Sequence, residues 1–224
     1  MKRFNVIVRS VASLGLFAAV LFWPAGTIGW AAGWAYLAVL IASSAAMMAY
    51  VYRVSPDLIE HRMRVGSGTK GWDKVVLSVF GLTYLAILVV AGFDAVRYEW
   101  STMSPWLWFA GLAIFLPGAV LVTWAMGVNP FFEKTVRIQS ERGHRVIDSG
   151  PYAFVRHPGY VGLFGWTLSV PLFLGSMWAF LPALLSVATM VIRTALEDRT
   201  LRAELEGYEE YAGKVPFRLI PGVW

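Results

Sequence analysis

The chain has 224 residues, of which 58% are hydrophobic and only 15% are charged, and this balance excludes an ordinary soluble globular domain. It contains no cysteine, which excludes disulfides, thiolate metal ligands and cysteine nucleophiles, and its scattered histidines (His61, His144 and His157) predict no metal site. The net charge of +5 comes with no polybasic run that would bind nucleic acid, so the basic residues are expected to flank membrane spans. We therefore expect an integral membrane protein.

Four apolar runs have about the 20 residues that a helix needs to cross a bilayer. They are residues 6–23, 34–52, 75–93 and 106–128. A fifth apolar region, residues 159–192, is too long for one span and is interrupted by Pro171, Gly175 and Pro182. It predicts a broken hairpin of two short helices, which neighbouring protein would have to cover.

The predicted fold is an all-α polytopic membrane bundle of about five to six transmembrane helices, with a broken C-terminal hairpin and a cytoplasmic helical tail. Residues 1–224 are predicted to form a single domain. Residues 1–128 would supply four transmembrane helices, and residues 129–224 would supply the part that binds a cofactor.

The distribution of basic residues predicts the orientation of the chain in the membrane. With six crossings and an internal N-terminus, the cytoplasmic segments are residues 1–9, 53–74, 129–157 and 193–224. These segments hold 18 of the 19 Lys and Arg residues, and only Arg97 lies outside them. The positive-inside rule therefore places both termini in the cytoplasm, and the long polar loops on that face are where chemistry is expected.

The first candidate site is the stretch RHPGY at residues 156–160, just ahead of the last hairpin. Pro158 can open the following helix as its first residue, which would put His157 and Tyr160 within its first turn. Free N–H groups there favour an anion, and Arg156 and His157 would reinforce the attraction. The alternative is that the side chains of Arg156 and His157 only extend to the membrane interface, and that Tyr160 belongs to an interfacial belt of aromatic residues.

The second candidate site lies where the last span continues into the C-terminal segment. Arg193 and Glu197 are four residues apart on one predicted helix, so they can pair, and Asp198 adds a second carboxylate. Charges so close to a membrane helix tend to face the bundle or a water-filled cavity. The alternative, an exposed helix with surface ion pairs, suits the later glutamates better: Glu204, Glu206, Glu209 and Glu210.

The first long loop, residues 53–74, holds Glu60, His61 and Arg62. Its stretch GSGTKG lacks the spacing of a phosphate-binding loop, and no G-x-G-x-x-G follows a strand anywhere in the chain. A nucleotide-like cofactor would therefore have to be held by the membrane helices and their tails.

The motifs of residues 129–224 together resemble the isoprenylcysteine carboxyl methyltransferase family and its bacterial membrane-embedded relatives. They are GPY followed by RHPGYVG, the broken apolar hairpin, R-x-x-x-E-D-x-x-L from Arg193 to Leu201, GYEEY and VPFRLIPGVW. The first 128 residues match only as successive spans. The resemblance implies an S-adenosylmethionine-dependent methyltransferase whose cofactor lies on the cytoplasmic side beneath the C-terminal tail. The lipophilic acceptor would enter from the bilayer, and the reaction would be most like carboxyl O-methylation of an isoprenylcysteine.

The resemblance also implies roles for individual residues. Cofactor-binding roles fall on Arg156, His157, Tyr160, Glu197, Asp198, Tyr208 and Tyr211. Either Glu197 or Asp198 would hold the ammonium of the cofactor, and Arg193 would face the reacting groups. Asn129 would be a polar acceptor contact or, equally, a helix C-cap after Val128. The family carries a basic residue on the helix before this loop, whereas LVTWAMGVNPFF has none.

Two other functions are compatible with the sequence. Membrane reductases that act on sterols or similar lipids with NADPH also resemble this chain in HP-x-Y and in a VPFRLIPG-like ending, but the chain has no arginine cluster set apart for a ribose 2′-phosphate. The third reading is a non-enzymatic membrane protein that binds lipid. In each case the expected location is a membrane, and the likeness to bacterial relatives indicates the inner membrane.

Overall fold

The computed structural model describes residues 15–62 and 68–224, and every regular element within those ranges is helical. In chain order the helices are α1 (Gly15–Ala25), α2 (Ala31–Val54), α3 (Pro56–Arg62), α4 (Gly71–Gly92), α5 (Leu107–Val128), α6 (Pro158–Leu174), α7 (Phe180–Glu204) and α8 (Tyr208–Lys214). A π-helical turn, Phe93–Arg97, prolongs α4. The all-α membrane fold predicted from the sequence is confirmed.

Four of these helices are long and apolar enough to cross a membrane: α2, α4 with its π-helical turn, α5 and α7. Three of them cover the predicted runs 34–52, 75–93 and 106–128 to within a few residues. The predicted run 6–23 lies partly outside the described residues, and its described part begins α1, which together with α6 is a shorter apolar helix. Large apolar side chains such as Leu82 and Val120 are exposed on the surface of the bundle. The chain is therefore an integral membrane protein.

The region 159–192 forms two helices, and the break between them lies at Gly175. Gly175 ends α6 with a φ of +70°, a left-handed conformation that glycine adopts without steric cost. Pro171 lies inside α6, and Pro182 lies in the first turn of α7, where a proline is tolerated. The second helix is not short, because α7 runs for 25 residues to Glu204 and includes the predicted continuation through Arg193 and Glu197. Its charged second half is helical because the loop after α5 and the C-terminal tail cover it.

Asp94 fixes the end of the bundle that lies away from the tail. Its carboxylate is fully buried and accepts hydrogen bonds from the backbone N–H and hydroxyl of Ser101, both at 2.7 Å. The Ser176 hydroxyl at 2.6 Å and the Trp178 N–H at 3.1 Å donate to it from the α6–α7 turn. The π-helical end of α4 is thus joined to the turn of the hairpin, with every donor matched to an ionised acceptor.

Helices α5 and α6 make the most extensive contact between any two helices of the described chain. Their backbones meet at Gly118 and Gly162, where a Cβ added to either glycine would lie about 2.5 to 2.6 Å from the carbonyl oxygen of the other. Small residues allow this close approach between membrane helices. The contact sets the position of α6, whose first turn carries the RHPGY stretch.

We predict that Gly118→Ala destabilises the bundle, because its methyl group would meet backbone atoms of α6 that cannot move aside. The expected cost is about 1–3 kcal/mol of unfolding free energy, measured as a lower thermal midpoint in detergent. Gly81→Ala is the matched control, since a Cβ at this helical glycine meets no atom within 4 Å. Equal midpoints for the two variants would contradict the close packing of α5 on α6.

Candidate functional site

A cavity of about 550 Å³ lies at the end of the bundle that carries α8, and its size is typical of small-molecule sites. Helices α4 to α7 give it an apolar lining that includes Leu77, Phe80, Val122, Met126, Trp166 and Met190. The loop after α5, the start of α6, the end of α7 and α8 give it a polar and aromatic lining. Eight of the nine site residues predicted from the sequence lie on this cavity, and the ninth, Asp198, does not.

The RHPGY stretch begins α6 in the way that the sequence predicts, with Pro158 as the first helical residue. The backbone N–H groups of Arg156 and His157 donate to the carbonyl oxygens of Phe217 and Arg218, each at 3.0 Å. The His157 ring stacks on that of Tyr160, with ring centroids 5.8 Å apart. The C-terminal segment is therefore bound directly to the start of α6.

Asp198 is the acceptor at the centre of a buried ionic cluster. Its carboxylate is fully buried and accepts from the guanidinium of Arg156 at 2.7 Å and 3.2 Å, from Arg218 at 2.9 Å and from Arg202 at 3.2 Å. The Tyr208 hydroxyl donates to it at 3.1 Å, and His157 Nε2 lies 3.4 Å away. Arg156 also donates to the Val215 carbonyl at 2.7 Å. Asp198 and the guanidinium of Arg156 are thus occupied by protein partners.

Glu197, the residue before Asp198, faces the cavity instead. It accepts a hydrogen bond from the Tyr160 hydroxyl, and the same hydroxyl accepts one from Arg193 Nη1 at 2.6 Å. The direct Arg193–Glu197 ion pair predicted from their spacing is wrong, because the Tyr160 hydroxyl lies between the two side chains and contacts both.

Asp73, in the first turn of α4, fixes Arg193 from across the bundle. Its carboxylate is fully buried and accepts from Arg193 Nε at 2.7 Å and Nη2 at 3.2 Å, and it also accepts the Val136 N–H at 2.8 Å. Arg193 Nη2 donates in addition to the Lys134 carbonyl at 2.8 Å. Sequence reasoning missed Asp73. The sequence did contain a signal for it, because an acidic residue at the end of an apolar membrane helix tends to face the protein interior.

Asn129 occupies both of the positions that the sequence left open for it. It directly follows the last residue of α5 and lines the cavity. Its amide donates to the Tyr152 hydroxyl at 3.1 Å, and its side-chain oxygen accepts the Phe131 N–H at 2.8 Å. The Tyr211 hydroxyl donates to the Tyr152 carbonyl at 2.8 Å, which connects the tail to the GPY segment.

The tail helix α8 is held by a small apolar core of its own. Tyr208, Tyr211 and Val215 are buried there against Val146 and Leu201. Burial raises the pKa of the Tyr208 hydroxyl, and the negative charges of Asp198 and Glu197 raise it further. Tyr208 is therefore a hydrogen-bond donor at neutral pH, as its bond to Asp198 requires.

The loop after α5 forms a charged wall of the cavity. Arg137 donates twice to the buried carboxylate of Glu133, at 2.8 and 2.9 Å, and once to Glu141 at 2.6 Å. These carboxylates raise the pKa of Arg137. His144 also lines the cavity, and its pKa is lowered by burial and by the charges of Arg137 and Arg142. His144 is accordingly uncharged at neutral pH.

Arg62 reaches the cavity from α3 and is half-buried. Its Nη1 donates to the Phe132 carbonyl at 2.8 Å, and its guanidinium lies 5.3 Å from the centroid of the Phe132 ring. The side chains of Glu60 and His61 from the same loop lie outside the described residues.

The fold and the cavity define a class of protein: a helical membrane protein in which a charged pocket under a C-terminal tail opens onto an apolar lining from the spanning helices. A family model described as the isoprenylcysteine carboxyl methyltransferase family matches residues 111–203. The resemblance predicted from the sequence is thereby confirmed over this stretch, which carries the pattern of that family.

Named relatives agree with the family match. The chain is similar to the protein-S-isoprenylcysteine O-methyltransferase of Schizosaccharomyces pombe, with 33% identity over 92 residues that cover 38% of this chain and 37% of the relative. The protein of the same name from Rattus norvegicus is 31% identical over 121 residues, covering 50% of this chain and 40% of the relative. The one from Homo sapiens is 25% identical and covers 92% of this chain and 90% of the relative. The matches of higher identity thus span less than half of each relative.

A solved structure extends the likeness of fold to almost the whole chain. The structure, titled as the eukaryotic intramembrane Ras methyltransferase ICMT without a monobody, is similar with a TM-score of 0.58. The match covers 95% of this chain and 75% of that one, at 19% identity. The fold is therefore shared beyond residues 111–203.

We predict that Asp73→Asn lowers the free energy of unfolding by about 3–5 kcal/mol, because it leaves the buried guanidinium of Arg193 without its counter-charge. Thermal unfolding in detergent measures the change. Asp57→Asn is the matched control, since Asp57 is exposed in the first turn of α3 and its replacement is expected to cost no more than about 0.5 kcal/mol. An unchanged midpoint for Asp73→Asn would contradict the account of how Arg193 is held.

Proposed function

We propose that this protein is a membrane-embedded methyltransferase that transfers a methyl group from S-adenosylmethionine to a lipophilic acceptor. The proposed reaction is most like the carboxyl O-methylation of an isoprenylcysteine, in line with the names of the relatives. One observation carries the proposal: a single cavity has a charged, aromatic part under the tail and an apolar part between the spanning helices. Such a cavity suits a charged cofactor and a lipid-borne acceptor together.

The residues of the cavity match the chemical groups of the proposed cofactor. S-adenosylmethionine carries an ammonium, a carboxylate, a ribose, an adenine and a sulfonium. Glu197 offers an anionic acceptor for the ammonium, and the start of α6 with His157 offers donors for the carboxylate. Tyr208 and Tyr211 offer aromatic faces to the adenine and sulfonium. When bound, the cofactor would supply an electrophilic methyl group.

Of the two adjacent acids, we propose Glu197 as the ligand of the cofactor ammonium. It lines the cavity, and its hydrogen bond from Tyr160 would hold the carboxylate in one orientation. Asp198 and Arg156 would act indirectly, because their bonds to each other, to Arg218 and to Val215 hold the tail against α6. They are positioning residues in this proposal.

The chemistry would depend on alignment more than on proton transfer. A carboxylate acceptor is ionised at neutral pH, so it can take a methyl group without a general base, and its product is a neutral ester. Arg193, held by Asp73 and Tyr160, would orient that carboxylate. The second amide N–H of Asn129 would be a further polar contact for the acceptor.

We further propose that residues 1–224 work as one domain, since α2, α3 and α4 line the same cavity as residues 129–224. Because 18 of the 19 basic residues fall in four alternate segments, we propose a cytoplasmic location for both termini and for the cavity. The membrane would be a bacterial inner membrane.

We predict that Glu197→Gln weakens the binding of S-adenosylhomocysteine at least about tenfold, because a neutral amide cannot neutralise the ammonium. Isothermal titration into the detergent-purified protein measures the affinity. Glu206→Gln, at an exposed acid of the same segment, is the control and should bind as the wild type does. The thermal midpoint of Glu197→Gln should stay close to that of the wild type.

Two outcomes of this titration would contradict the proposal. If the folded wild-type protein binds NADPH and not S-adenosylhomocysteine, the reductase reading replaces it. If the wild type binds neither compound, the non-enzymatic reading replaces it. Equal affinities of Glu197→Gln and the wild type would overturn the assignment of Glu197 alone.

A further inference from the structure

The cationic side chains on the cavity lining differ in whether a carboxylate already neutralises them. Arg137, Arg156 and Arg193 are paired with Glu133, Asp198 and Asp73, respectively. Lys134 and Arg145 are exposed. Arg62 is half-buried and, among the described residues, has no carboxylate within salt-bridge distance. Arg62 is therefore the half-buried cation of the described cavity that no described carboxylate contacts directly.

Arg62 and Arg193 also differ in how many of their N–H donors have a hydrogen-bond partner. A guanidinium has five N–H donors. In Arg193 four of them are bound to Asp73, Tyr160 and the Lys134 carbonyl, which leaves one on Nη1. In Arg62 the Phe132 carbonyl takes one donor, and the described residues offer no partner to the other four. These donors are not fully buried and lie on the cavity, so a ligand with acceptor oxygens can reach them there.

The electrostatics of the two arginines point to an anion. Burial lowers the pKa of the Arg62 guanidinium and the positive charge of Arg193 lowers it further, while the negative charge of Glu133 offsets part of this effect. An anionic group bound near both guanidiniums would offset both effects, because an opposite charge favours the ionised form. The planar fork of a guanidinium is suited to the two oxygens of a carboxylate.

We propose that Arg62 is the principal binding residue for the carboxylate of the methyl acceptor, with the remaining N–H of Arg193 as the second contact. The inference rests on the proposed methyltransferase function and names the group that recognises its acceptor. Arg62 comes from α3, outside residues 111–203 that match the family model. Its carbonyl bond and its cation–π contact to Phe132 hold it at the cavity.

Two consequences follow for the reaction. The apolar tail of the acceptor would extend along the lining that the spanning helices provide, while its carboxylate stays between the arginines. Methylation removes the negative charge of the acceptor, so the ester product would lose its attraction to Arg62. The acid should therefore bind more tightly than its methyl ester, which favours release of the product.

The test uses N-acetyl-S-farnesylcysteine, its C-terminal carboxamide and its methyl ester as probes of the wild type, Arg62→Gln, Arg62→Lys and Arg53→Gln. Arg53 is the matched control because it is exposed at the end of α2 and does not line the cavity. Direct binding is measured in the presence of S-adenosylhomocysteine, whose own affinity is measured separately. The KM and kcat of methyl transfer are measured for the acid.

We expect the wild type and Arg53→Gln to prefer the acid to the carboxamide and the ester. Arg62→Gln should lose this preference and raise the KM for the acid at least about tenfold, with the affinity for S-adenosylhomocysteine unchanged. Arg62→Lys should keep part of the preference, since it retains the charge but not the fork. If Arg62→Gln does not fold, Arg62→Lys is the variant that tests the proposal.

The proposal is overturned if Arg62→Gln, or Arg62→Lys in its place, discriminates between acid and carboxamide as the wild type does. The failure of the proposed function is a separate result, in which the wild type binds no S-adenosylhomocysteine and transfers no methyl group to any probe. A wild type that transfers methyl groups but binds acid, carboxamide and ester equally would overturn the role of Arg62 alone.

Discussion

The structure at this end of the bundle depends on the buried carboxylate of Asp198. It accepts hydrogen bonds from guanidiniums of three different segments: Arg156 before α6, Arg202 on α7 and Arg218 in the tail. Removing one partner of a buried ion pair costs about 3–5 kcal/mol, since the remaining charges are left unmatched away from water. The start of α6, the end of α7 and the tail therefore take up their positions together. Together with the loop after α5, these segments line the polar part of the cavity.

Neighbouring positions on α7 serve different purposes because successive helical residues point in directions about 100° apart. Asp198 faces the tail and holds the structure together, while Glu197 faces the cavity, where a ligand can reach it. The Tyr160 hydroxyl joins Glu197 to Arg193, and Asp73 joins Arg193 to α4. The polar groups of the site are thus attached to three membrane helices and not to loops alone, which suits a reaction that depends on alignment.

The sequence predicted what local patterns determine. Apolar run length predicted three spans closely, and the turn chemistry of RHPGY predicted Pro158 as the first residue of α6. Contacts between distant segments were not accessible in this way. Asp73 lies 120 positions from Arg193, and an acid in a first helical turn is also explained by the helix dipole. Spacing alone predicted an Arg193–Glu197 pair, because it could not reveal that Tyr160 would lie between them. The sequence did predict that the last span continues as a helix through Arg193 and Glu197, but it could not reveal which segments cover that part of α7.

Hydrogen–deuterium exchange of the wild type and Asp198→Asn tests most directly whether this one carboxylate holds the site together. The amides of Arg156 and His157 are bonded to carbonyls of the tail, so they and the amides of α8 should exchange slowly in the wild type. In Asp198→Asn they should exchange faster, while the amides of α2 and α4 keep their protection. Equal protection of the tail in the two proteins would contradict the account.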